Sequence, residues 1–316
     1  MEHKFDVVII GAGAAGMMCA IEAGKRGRKI ILLDHAKKIG EKIRISGGGR
    51  CNFTNIYTNN KNFISSNPSF MISALNQYTY KNFIDLIKKH KIKFHEKKLG
   101  QLFCDKSAQQ IIDMLKLECE LANVILKNDT LVESINKSAG FLTKTKNFSY
   151  QSESLVIATG GLSIPKIGAS KFGYEVARQF GINIIETLPA LVPLTFNEDI
   201  LKKCKELAGL SVGAKVSYDQ TLFEEGMLFT HRGLSGPSIL QISSYWKLGK
   251  NIEINLSPHQ NIFDYLQEKK AKNPKQEMNS IISELLPKRL ATMICGDLKI
   301  SGRVADMSKK LIKSIG

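Results

Sequence analysis

Apolar positions are densest near the amino end of the chain. Phe5-Asp6-Val7-Val8-Ile9-Ile10 is an apolar β run, and Gly11-Ala12-Gly13-Ala14-Ala15-Gly16 follows at once. Met17 to Lys25 reads as a helix of good formers, and a second β run, Lys29 to Leu33, ends in Asp34. The order is strand, glycine turn, helix, strand, acid. Further on, the pattern predicts helices over parts of 68–90 and 107–121. Asn67-Pro68 reads as a helix start and Ser107 as a second cap. Short strands are predicted near 123–126, 130–136, 140–146 and 154–158, the last ending in the small-residue turn Thr159-Gly160-Gly161. After Leu194 the pattern changes to a few strands followed by Lys-rich helices. The expected fold is α/β: a Rossmann-like parallel sheet with a β-meander over residues 1–195. A smaller inserted α+β domain is expected over 196–316.

Each glycine of the first turn has a physical use. Gly11 permits the tight turn, Gly13 lets backbone approach a pyrophosphate, and Gly16 lets the helix pack close to the strand. Free N–H groups at the helix start, around Ala14 and Ala15, attract the anion. Asp34 can accept hydrogen bonds from a ribose and would repel a 2′-phosphate, which favours FAD or NAD over NADP. A second glycine-rich stretch runs from Gly40 to Asn55 and carries Lys42, Arg44, Gly47, Gly48, Gly49, Arg50 and Asn52. Three consecutive glycines have no use inside a helix or strand. They suit either a loop pressed against a flat or phosphorylated ligand or a surface turn.

Composition narrows the class. Of 316 residues, 43% are hydrophobic, enough for a sizeable core. Six cysteines occur without a Cys-x-x-Cys pair, which disfavours a zinc site or a disulfide scaffold and fits a reducing cytoplasm. The apolar stretch Val7 to Ile21 is too short to span a bilayer and has no polybasic leader, so a soluble, cytoplasmic protein is expected. The net charge is +16, mostly from Lys. Spread along the chain, it reads as compositional drift. With no RNA-recognition motif present, nucleic acid is not the expected partner and a small-molecule substrate is.

The glycine fingerprint, the run Ser46-Gly47-Gly48-Gly49-Arg50-Cys51-Asn52-Phe53-Thr54-Asn55 and two later motifs resemble the BaiN-like, or aminoacetone-oxidase-like, FAD-dependent oxidoreductases. The later motifs are Thr159-Gly160-Gly161 and the stretch Gly226 to Ser238 containing Thr230-His231-Arg232-Gly233. The resemblance implies FAD held by Gly11, Gly13, Ala14, Ala15, Gly16 and Asp34, then by Lys42, Gly48, Gly49 and Arg50, then by Val132, Thr159 and Gly160. NAD(P)H enters as an optional transient electron donor. The chain departs from the family pattern at Cys104, Lys171 and Phe172, which the resemblance assigns more to the substrate side.

Hydride transfer between a small organic substrate and flavin is the expected chemistry. Asn52, His231 and Arg232 are the candidate catalytic residues: His231 as a proton donor or acceptor, Arg232 as an anion clamp. A strand–turn–helix corner with satisfied polar groups explains the same stretch, with Ser235 capping the helix. No metal site is expected, and Cys51 reads as a packing residue. Competing classes are an NAD-only dehydrogenase, which has no use for the Gly47–Asn55 loop, and an RNA-associated flavoprotein, suggested by charge alone. The resemblance also implies a return segment to the FAD domain that is not found before Gly316. That raises the expectation of a truncated chain with an uncovered edge, weak FAD retention and impaired turnover.

Overall fold

Val8, Ile9 and Ile10, and Ile30 through Leu33, are all at most 5% exposed, so the two apolar runs become neighbouring strands buried on both faces. The computed structural model describes residues 2–315, and the chain divides into two units between Ile185 and Glu186. The N-terminal unit begins β1 (Glu2–Ile10), α1 (Ala14–Lys25), β2 (Ile30–Leu33), α2 (Glu41–Ile45), β3 (Asn52–Asn55), α3 (Ile72–Gln77), α4 (Tyr80–Lys89), β4 (Phe94–Glu96) and β5 (Gln101–Cys104). It continues α5 (Gln109–Leu121), β6 (Ile125–Lys127), β7 (Val132–Lys137), β8 (Phe141–Thr145), β9 (Ser149–Ile157) and α6 (Phe172–Gln179).

Six of these strands form one sheet in the order β6-β2-β1-β9-β8-β7. The first four are parallel, and β7, β8 and β9 form an antiparallel meander. The parallel part has the strand order of dinucleotide-binding folds, with the reversal of strand order between β1 and β9. The expected α/β class is therefore correct, and the meander is continuous with the parallel sheet because β9 belongs to both. Ile9 and Leu32 pack on one face with Met17, Ala20 and Ile21 of α1 and Ile111, Ile112 and Leu115 of α5. Val8, Ile10, Ile31 and Leu33 pack on the other with Val132, Ile135, Tyr150 and Val176. The period-2 alternation of side chains thus feeds two cores at once. A separate three-stranded antiparallel sheet, β3-β5-β4, is built from the excursion between β2 and α5.

A buried carboxylate joins the helices under the first core. Glu118 on α5 is 2% exposed and accepts from Lys89 Nζ at 2.6 Å, lies 2.8 Å from His90 Nε2 and stands 3.7 Å from Lys25 Nζ. Burial pushes its pKa up, but the hydrogen bonds from Lys89 and His90 and the charges of Lys89 and Lys25 outweigh this and hold it below the ordinary value. A carboxylate whose folded pKa is depressed stabilises the fold above its unfolded pKa, about 4.3. That contribution is lost as pH falls through the lower folded value. Melting temperature should therefore drop between about pH 5 and pH 3, and Glu118→Gln should be less stable near neutrality with a shallower acid slope. Equal acid slopes in both proteins would refute this.

Local differences from the sequence expectation have simple causes. Asn67-Pro68 does not start a helix: Asn67 Oδ1 accepts from Ser69 N–H at 3.2 Å and closes a turn, and α3 begins only at Ile72. Thr79 and Asn82 then form a capping box that opens α4. Ser107 does serve the next helix, accepting from Gln109 N–H at 3.1 Å.

The C-terminal unit contains β10 (Leu194–Thr195), α7 (Glu198–Glu206), β11 (Ser211–Tyr218), β12 (Thr221–Thr230), β13 (Gly233–Ser235), α8 (Pro237–Ile242), β14 (Glu253–Asn255) and four helices: α9 (Ile262–Lys272), α10 (Met278–Leu285), α11 (Lys288–Asp297) and α12 (Lys309–Ile315). Its sheet is antiparallel, in the order β10-β13-β12-β11-β14, and packs its core with Ile239 and Ile242 of α8. Ser235 lies within β13 and does not cap α8, which Gly236 precedes and Pro237 opens. Among the described residues, no helix is long and apolar enough to cross a membrane.

Candidate functional site

Because β2, β1 and β9 are adjacent and parallel, their carboxyl ends deliver three turns to one place. Gly11 N–H donates to Leu33 O at 2.7 Å, and Ala158 N–H donates to Ile10 O at 2.8 Å. Asp34, at the end of β2, accepts from Ala12 N–H at 2.6 Å through Oδ2 and from Ala36 N–H at 2.8 Å through Oδ1. The acid thus fixes the glycine turn itself while still bordering the cavity beside it.

That cavity measures about 870 Å³ and lies entirely within the N-terminal unit, toward the large end of the usual range for ligand sites. Gly11, Gly13, Ala14, Ala15, Asp34, Lys42, Val132, Thr159 and Gly160 all border it. The three glycines of the fingerprint divide the work. A Cβ on Gly13 would meet nothing within 4 Å, and its φ of −84° is open to any residue. A Cβ on Gly16 would collide with the carbonyl oxygen of Gly11, and one on Gly11, at φ +107°, would reach the Ala158 carbonyl carbon at 2.7 Å. Gly11 and Gly16 hold the turns together, whereas Gly13 has open space beside it at the border of the cavity. No side chain caps α1 and its first turn has no acid, so its leading N–H groups stay available to an anion.

The Thr159 hydroxyl is enclosed by protein and has no hydrogen-bond partner among the described residues. A Cβ on Gly173 would stand 2.8 Å from Thr159 Oγ1. Lys42 Nζ donates to Ser163 Oγ at 2.9 Å and to Gly161 O at 3.3 Å, tying α2 to the loop after β9. Sequence reasoning missed His35, Lys38 and Glu175, which also border the cavity. Only the fold links His35 to Gly168: at φ +90°, a Cβ there would come within 2.7 Å of His35 Nε2. Lys171 and Phe172, where the chain departs from the family pattern, also border this cavity.

The remaining predicted residues lie elsewhere. Gly16 is packed beneath the turn, and Gly48, Gly49, Arg50 and Asn52 do not border the cavity. Gly47, Gly48 and Gly49 form a left-handed turn with φ of +57°, +66° and +85°. Gly47 is pressed against Phe103, while Gly48 and Gly49 face open space. The turn is pinned to its surroundings by Ala108 N–H to Gly49 O at 2.7 Å and Cys104 N–H to Arg50 O at 3.0 Å. Cys51 is buried in the core, and burial pushes its thiol up despite a hydrogen bond with Ser46. Cys104 is pushed to about 11 by burial, with Cys51 and Asp105 adding to it. Both are thiols rather than thiolates at neutral pH. In the C-terminal unit, His231 and Arg232 form the exposed two-residue turn between β12 and β13, closed by Thr230 Oγ1 accepting from Arg232 N–H at 3.2 Å.

The basic excess is not even along the chain. Residues 35–106 hold fourteen Lys and Arg against four Asp and Glu, so +10 of the net +16 falls on the excursion that carries the glycine loop and the small sheet.

The family described as HI0933-like protein Rossmann domain matches residues 5–309. A ribosomal RNA dihydrouridine synthase of Escherichia coli (strain K12) is 48% identical over 310 residues, which cover 98% of this chain and 76% of that protein. A protein of the same name from Haemophilus influenzae is 41% identical over 322 residues, covering 100% and 80%. A 3-dehydro-bile acid delta(4,6)-reductase of Clostridium scindens is 27% identical over 285 residues, covering 86% and 67%. The flavoprotein class inferred from the motifs is right, but these similarities move the chain away from the BaiN-like and aminoacetone-oxidase-like branch. They also correct the expectation about partners: relatives named for ribosomal RNA overturn the exclusion of nucleic acid.

Proposed function

The chain belongs to the HI0933-like family, and from that premise we propose that it is an FAD-dependent enzyme that reduces uridine to dihydrouridine in ribosomal RNA. The observation that carries the cofactor half is the convergence of three strand ends on a cavity that Gly13 leaves open. The available α1 amides suit a pyrophosphate, Asp34 a ribose hydroxyl, Val132 backbone the adenine, and Thr159 and Gly160 the flavin side. The names of the two relatives covering 98% and 100% of the chain support the substrate half.

Reduction of a uridine adds a hydride and a proton across its C5–C6 double bond, and a bound flavin supplies the two electrons. The protein must therefore take the base out of its stack, hold it and manage one proton. His231 is the candidate proton donor, exposed and without a polar partner among the described residues; Arg232 beside it is the candidate for a phosphate. Asn52, exposed next to the glycine turn, is the candidate for hydrogen bonds to the base. Work on ribosomal RNA implies a cytoplasmic protein.

The test is direct. Deproteinised ribosomal RNA lacking the modification is incubated anaerobically with FAD-loaded protein and NADPH, NADH or dithionite, then digested to nucleosides and analysed by mass spectrometry. A uridine that gains two hydrogens is expected. No gain with any reductant, from protein shown to carry flavin, would overturn the proposal.

A further inference from the structure

The small sheet of the N-terminal unit has a tip that neither the cofactor cavity nor the core uses. The β4–β5 hairpin turns through Lys97-Lys98-Leu99-Gly100, closed by Lys97 N–H to Gln101 O at 2.9 Å. Leu99 is 64% exposed and holds a left-handed φ of +53°, a conformation that costs a bulky residue energy. Tyr57 is 65% exposed, and its ring lies against the position where a Cβ on Gly100 would stand, 2.6 Å from Tyr57 Cδ2. Two hydrogen bonds tie the residues just before Tyr57 to the hairpin: Ile56 N–H to Gly100 O at 2.9 Å and Asn55 Nδ2 to Leu99 O at 2.9 Å. Lys93, Lys97 and Lys98 are exposed and none forms an ion pair among the described residues. Lys97 Nζ lies 5.3 Å from the centre of the Phe103 ring.

We infer that this hairpin, with Tyr57, is the surface on which RNA docks. Unpaired ammonium groups suit phosphates, and an exposed ring beside the hairpin suits an unstacked base. A strained, exposed Leu99 is unfavourable for the isolated fold and is the kind of feature that persists where a surface has another use. The same excursion holds +10 of the net charge and carries Arg50 and Asn52, which gives RNA a field to follow toward them. An anionic membrane would also attract lysines, but two apolar side chains at a hairpin tip offer little to insert. This inference rests on the RNA reading proposed above.

Binding of the full chain to fluorescein-labelled deproteinised ribosomal RNA would be measured from 50 to 300 mM salt. Lys97→Gln/Lys98→Gln should weaken binding about tenfold near physiological salt and lower the log–log salt slope by about 1.4, the value for two phosphate contacts on a single strand. Tyr57→Ala should weaken binding roughly tenfold with an unchanged slope, as loss of one stacked base does. Lys309→Gln/Lys310→Gln removes equal charge from exposed positions on α12 and should change the slope less. Circular dichroism and flavin content should match the parent in every variant. If the parent binds RNA and the hairpin variants bind equally well, the surface is wrong while the RNA reading stands. If the parent does not bind RNA, both fail. Hairpin-dependent binding to phosphatidylglycerol vesicles, with RNA binding indifferent to the same changes, would also overturn the inference.

Discussion

Gly13→Val is expected to give a folded, colourless protein. Its side chain would enter the space beside the α1 amides, where no protein atom lies within 4 Å of the added Cβ, and the backbone at φ −84° accepts valine. Nothing in the fold resists the change, whereas a pyrophosphate could no longer reach the amides. Charge-assisted hydrogen bonds are worth about 1.5–3 kcal/mol each, so losing one or two weakens FAD binding by about tenfold at least and by more than about 100-fold if both go. Titration of apoprotein with FAD, followed by flavin fluorescence, measures this, with melting temperature as the control for folding. Parent-like flavin retention would mean that the cofactor assignment is wrong.

Gly16→Ala should do the opposite and strike the fold first. The added Cβ meets the Gly11 carbonyl oxygen and comes within 3.3 Å of Ala158 Cβ. Backbone pinned between two strands cannot yield as a flexible side chain would. Overpacking of this kind costs about 3 kcal/mol or more. For a unit of this size that lowers the melting temperature by on the order of 10 °C, and flavin loss would follow from unfolding rather than from a blocked site. A variant that melts with the parent but loses flavin would reverse the roles assigned to Gly13 and Gly16.

The sequence was most legible where one physical requirement left one residue type. Glycines at 11, 13 and 16, an acid at 34 and a strand ending at Thr159 located three turns before any fold was known, and those turns meet. Their separate duties were not legible, because a packing glycine and a ligand glycine look alike until the neighbouring backbone is in place. Asn67-Pro68 reads as a helix start by local rules, yet Asn67 spends its oxygen on Ser69. Gly48, Gly49 and Arg50 were grouped with the cofactor by motif; they do not border the cavity, and the carbonyls of Gly49 and Arg50 accept from Ala108 and Cys104. Partner chemistry was read least well. Net charge alone does not separate drift from function, and its concentration on residues 35–106 was overlooked.

The pairing of β1 with β9 also has a consequence for biosynthesis. Residues 7–10 align with 154–157, and the Gly11 turn is locked only when Ala158 donates to Ile10 O. At ribosomal rates of about 5–20 residues per second, that partner follows β1 by roughly 10–30 seconds. During the wait β1 can pair with β2 but presents its other edge unpaired, an invitation to other chains. Helices α1, α4 and α5 are local and can form first, so the slow step should be closure of a long-range parallel pair. Mutations along the β1–β9 seam should then reduce yield in the cell more than their effect on the finished protein's stability implies.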